Sequence, residues 1–116
     1  TTEIYTLSLH DALPISDGAD GAILLSAHLE TDTFASIRTL LRQGKRDLAL
    51  TAWQSVVGLT RLLFAEPSPA PAKHWLWRQR LIDSPEVRLP MVEVSEDLAT
   101  WLDAEMERRA QLLLPA

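Results

Sequence analysis

The stretch KRDLALTAWQSVVGLTRLLFA, residues 45–65, decides the fold. Ala49, Ala52, Trp53, Val56, Val57, Thr60, Leu63 and Phe64 recur at spacings of three and four and form one helical stripe. A second apolar edge through Leu48, Leu59 and Leu62 predicts that this helix is covered on more than one side and sits centrally. Gly58 inside it costs about 1 kcal/mol relative to Ala, which a close helix crossing or chance would explain.

Upstream, GAILLSAHLETDTFASIRTLLRQG (residues 21–44) carries Ile23, Leu24, Ala27, Phe34, Ile37, Leu40 and Leu41, mostly at helical spacing. The reading is helix, broken near Thr31 to Thr33, where Asp32 caps a second piece. Gly44 fits the position just past a helix end, where a left-handed residue is easiest. SDGAD, residues 16–20, reads as loop.

Downstream, EPSPAPA (residues 66–72) has three Pro at alternate positions, which forbids helix and favours a stiff, extended connection. KHWLWRQRLID (73–83) is a third helix. SPEVRLPMVEV is irregular, with one helical turn started by Ser84 and Pro85. Ser95 is an N-cap, with Glu96 and Asp97 in the first turn. The helix it opens runs to Pro115, turns Leu98, Trp101, Leu102, Met106 and Leu113 inward, and offers Glu105 and Arg109 as an i,i+4 pair. Helices with short connections and no convincing strand predict an all-α fold, most simply an antiparallel bundle of four or five helices with a Pro-rich connection.

The composition is that of an ordinary globular domain: 116 residues, 47% hydrophobic, 23% charged and no Cys. Disulfides, thiolate zinc sites and Cys nucleophiles are thereby excluded. A net charge of −5, with the 11 basic residues interspersed among acids, disfavours nucleic acid as a partner. Apolar runs are too short for a membrane span and no leader pattern is present, so the expected location is cytoplasmic.

Residues 1–15, TTEIYTLSLHDALPI, alternate like a strand for a few residues and then meet Pro14 without turn chemistry. They can be spelled in codons that resemble the universal adapter of short-read sequencing libraries. The expectation is a non-native segment, residues 1–15, joined to a helical domain, residues 16–116. Glu3, Tyr5, His10 and Asp11 then leave the list of candidate site residues. A gene cut at that point would also lack its N-terminal part.

KHWLWRQR, residues 73–80, is the most unusual segment, with two Trp, one His and three cations. Such a helix could bind an anion or a planar ring through ion pairs, stacking and its free N-terminal N–H groups. The plainer alternative is that its indoles are core and its cations solvated. His28, near Glu30 and Asp32, has poor metal-ligand geometry and reads as an exposed His. No phosphate loop, HExxH, GxSxG or defensible Ser/His/Asp set is present, so the chain carries no catalytic motif.

The order Leu62 to Ala65, then a Pro-containing connection, then Lys73, Trp75, Leu76 and Trp77, then Leu89-Pro90, resembles the helical C-terminal region of bacterial polymerase-β-type nucleotidyltransferases. Glu66-Pro67 and the inserted His74 depart from that pattern. The resemblance implies that the chain is the substrate-side domain of a nucleotidyltransferase whose N-terminal catalytic domain is missing. It also implies Mg²⁺ and nucleoside triphosphate in that missing domain, and a small-molecule or unknown acceptor bound here by Lys73, Trp75, Trp77 and Arg78. The fragment itself is expected to be inactive. The competing expectation is a non-enzymatic helical interaction or dimerisation module.

Overall fold

The computed structural model describes residues 4–6 and 21–114. Apart from residues 4–6, the adapter-like segment lies outside the described residues, as does the expected loop at residues 16–20. The chain divides into two compact units, Thr1–Arg61 and Leu62–Ala116.

In the first unit β1 (Ile4–Thr6) pairs in parallel with β2 (Gly21–Ile23), in the register Ile4↔Gly21, Tyr5↔Ala22, Thr6↔Ile23. A 3-10 turn at Ser26–His28 follows, then α1 (Thr31–Arg42) and α2 (Arg46–Leu63), whose last two residues belong to the second unit. The expected helix from Gly21 is therefore a strand and a short turn before α1. A short apolar run bounded by Gly satisfies a buried strand as well as a helix, and periodicity cannot separate them. Asp32 does not cap α1 but lies in its first turn, and Thr33 Oγ1 donates to Glu30 Oε2 at 3.1 Å.

The α1 exit has the expected form. Gly44 takes φ 73°, its N–H donates to Leu41 O at 3.1 Å, and Lys45 N–H donates to Leu40 O at 2.9 Å. This pair of bonds satisfies carbonyls that the last turn leaves open. Ile37, Ala49, Val56 and Leu59 are buried in this unit, and Phe34 meets Trp53 edge-on at 6.3 Å. Thr60 is buried with its hydroxyl donating to Val56 O. The α2 stripe is thus real, but Leu48 on its second edge is exposed.

The second unit holds the end of α2, α3 (Ala70–Arg78) and α4 (Glu96–Leu112). Its Pro-rich segment does not exclude helix, because α3 begins inside it, with Pro71 in the first turn. There the missing N–H is no loss and the fixed φ favours helix. The peptide bonds before Pro69 and Pro90 are cis. Ser84 Oγ accepts from Glu86 N–H, but no helical turn follows. Leu63, Ala70, Ala72, Trp75, Leu98 and Leu102 form the buried core, where α3 packs on α4. Trp101 and Leu113, expected inside, are exposed.

Ser95 caps α4 as expected, its Oγ accepting from Leu98 N–H at 3.2 Å. Glu66 adds a second layer that spacing could not show: its carboxylate accepts from Ser95 N–H at 3.0 Å and from the Ser95 hydroxyl.

Candidate functional site

The segment singled out by its composition is α3. Its ninth and last residue is Arg78, and the chain leaves it through Arg80 at φ 60°. Arg80 N–H donates to Trp77 O and Leu81 N–H to Leu76 O, both at 2.9 Å. These bonds repeat the α1 exit with Arg in the place of Gly, so the helix stops short of the Asp83 expected from the sequence.

Along α3 the four predicted binding residues go to different surroundings. Trp75 is 2% exposed and belongs to the core, where its Nε1 has no hydrogen-bond partner. The Lys73 ammonium donates to the Glu86 carbonyl oxygen. Trp77 is at the surface, with the Arg78 guanidinium carbon 5.9 Å from its ring centre. Arg78 Nε also donates to Asp103 Oδ1 of α4 at 3.1 Å.

His74, part of the unusual segment and an insertion in the expected pattern but not among the four predicted binding residues, is the residue that organises this cluster. It is 7% exposed, its Nε2 lies 3.0 Å from the same Asp103 Oδ1, and its ring meets Trp77 edge-on at 5.7 Å. A buried imidazole needs a partner, and the carboxylate supplies one while joining α3 to α4. Trp77 and Arg78 are thus brought together with His74 and Asp103, whereas Trp75 is buried in the core and Lys73 is turned to Glu86. The only sequence signal for the pairing is a His in the apolar stripe of α3 and an Asp in the line of α4.

On α4 a second charged group forms from Glu105, which accepts from Arg108 at 2.6 and 2.8 Å and pairs with Arg109 at 3.5 Å. The Arg108 hydrogen bond holds the Glu105 carboxyl below its usual range against the opposing effect of burial. Among the described residues no group of His or carboxylate side chains could hold a metal ion, and no helix is long and apolar enough to cross a membrane.

The model of the dihydrodipicolinate synthetase family matches residues 8–109. The chain belongs to that family. It is 41% identical over 86 residues to 4-hydroxy-tetrahydrodipicolinate synthase 2 of Clostridium acetobutylicum, a match covering 74% of this chain and 30% of that protein. Among solved structures it is similar to the 4-hydroxy-tetrahydrodipicolinate synthase of Methylacidiphilum fumariolicum SolV, with TM-score 0.78 and 27% identity over 87% of this chain and 34% of that one. It is also similar to the dihydrodipicolinate synthase of Acinetobacter baumannii complexed with pyruvate, with TM-score 0.83 and 23% identity over 91% and 36%. The chain spans about a third of the length of the curated relatives it matches.

Membership of this family overturns the resemblance to polymerase-β-type nucleotidyltransferases and, with it, the substrate-side domain inferred from it. Mg²⁺ and nucleoside triphosphate, the missing nucleotidyltransferase domain and its acceptor fall for the same reason, and the interaction-module alternative gains no support. Lys73, Trp75 and Leu76 lie inside α3, and Leu89-Pro90 lies in a turn where Met91 N–H donates to Arg88 O, features too local to separate unrelated folds. The helical class holds for the described part, which has four helices beside one short parallel strand pair, but the expected self-contained bundle does not: the relatives are (β/α)8 barrels, and this chain is only part of such a domain.

Proposed function

We propose that the chain is part of a 4-hydroxy-tetrahydrodipicolinate synthase, an enzyme that joins pyruvate to aspartate semialdehyde through a Schiff base. The observation that carries this reading is the 41% identity over 86 residues to a synthase of that name. In such a reaction a lysine amine adds to the pyruvate ketone and loses water, giving an imine. The derived enamine then attacks the aldehyde carbon to form the new C–C bond, and the amine of aspartate semialdehyde attacks the imine carbon, closing the ring and expelling the lysine amine.

The lysine that forms the imine is supplied by the part of the enzyme that this chain does not span. The chain has two lysines. Lys45 stands exposed after the α1 exit, and the Lys73 ammonium is engaged by the Glu86 carbonyl oxygen. Unit one then contributes a strand-and-helix element of the barrel, β2 with α1. The residues after β2, Leu24 to Ser26, lie at the strand end where barrel enzymes collect their chemistry. Unit two is a helical support, and Lys73, Trp75, Trp77 and Arg78 hold it together rather than bind substrate.

Borohydride reduction in the presence of pyruvate tests this. The whole protein is expected to be trapped as a covalent adduct, with peptide mapping placing the adduct outside residues 21–114. An adduct on Lys45 or Lys73 would overturn the assignment of the lysine. A whole protein that neither traps pyruvate nor consumes aspartate semialdehyde would overturn the function.

A further inference from the structure

We draw no further inference here: the strongest candidate, the groove of about 250 Å³ in the second unit lined by Glu66, Pro67, Ala70, Pro90, Met91 and Val92, is an unpartnered and largely apolar face, and nothing in the structure shows what covers it.

Discussion

Gly44 and Arg80 hold the same left-handed backbone at the ends of α1 and α3, yet only one of them is suited to it. A side chain in this region costs roughly 1–2 kcal/mol, partly offset because a glycine adds freedom to the unfolded chain. Arg80→Gly is therefore expected to stabilise the protein by about 0.5–1 kcal/mol. Gly44→Ala should destabilise it by about 1 kcal/mol, although a Cβ there would meet nothing within 4 Å, because the cost is conformational. Urea midpoints read both, and equal signs for the two variants would refute the argument. Asp103 offers a different test, since one oxygen serves buried His74 and exposed Arg78. Double-mutant cycles should give the His74–Asp103 pair about 1–2 kcal/mol and the Arg78–Asp103 pair less than about 1 kcal/mol. Gly44 and Ser95 could be assigned from the sequence because their roles follow from local chemistry. Nothing in an arginine announces a left-handed conformation, so the end of α3 could not.

The start of α4 depends on two side chains acting in series. Ser95→Ala removes the acceptor for Leu98 N–H and should cost about 1 kcal/mol. Glu66→Ala should cost less in a Ser95→Ala background than alone, because half of what the carboxylate holds is already gone. Additive losses in denaturant titrations would show that the two act separately. Later in α4, the lowered Glu105 carboxyl makes a stabilising contribution that is present above the ordinary carboxylate range and lost as pH falls through the depressed value. Arg108→Ala should return Glu105 towards its usual titration, read from its carboxyl resonance. The stability gap between the two proteins should then close in acid and narrow in salt. The α2 stripe was readable because eighteen residues sustain one period. β2 was not, because three residues of strand carry too little pattern, and α3 was shortened at its start because proline was weighed as a breaker rather than as a first-turn residue.

The apolar surface of the chain is what its family assignment explains best. Leu48, Leu50, Leu81, Leu89, Val92 and Trp101 are each more than half exposed, a burden that a self-contained domain of this size rarely carries together. Sequence periodicity placed Leu48 and Trp101 inside, and for a barrel segment that prediction is sensible: periodicity reports which residues seek cover, not which molecule supplies it. The composition of α3 marks it as unusual, and the structure ties His74 and Arg78 to Asp103 of α4 while Trp77 stays partly exposed. If the proposed barrel supplies the cover, these residues should behave differently in the two contexts. The isolated chain is expected to bind an apolar fluorescent dye and to self-associate on size-exclusion chromatography, whereas the whole protein should do so far less. Leu48→Lys should then improve the solubility of the isolated chain while destabilising the whole protein by about 1–3 kcal/mol, the loss of a buried Leu side chain. An isolated chain that elutes as a dye-free monomer, or a Leu48→Lys variant that leaves the whole protein's stability unchanged, would show that this surface faces water in the whole protein as well.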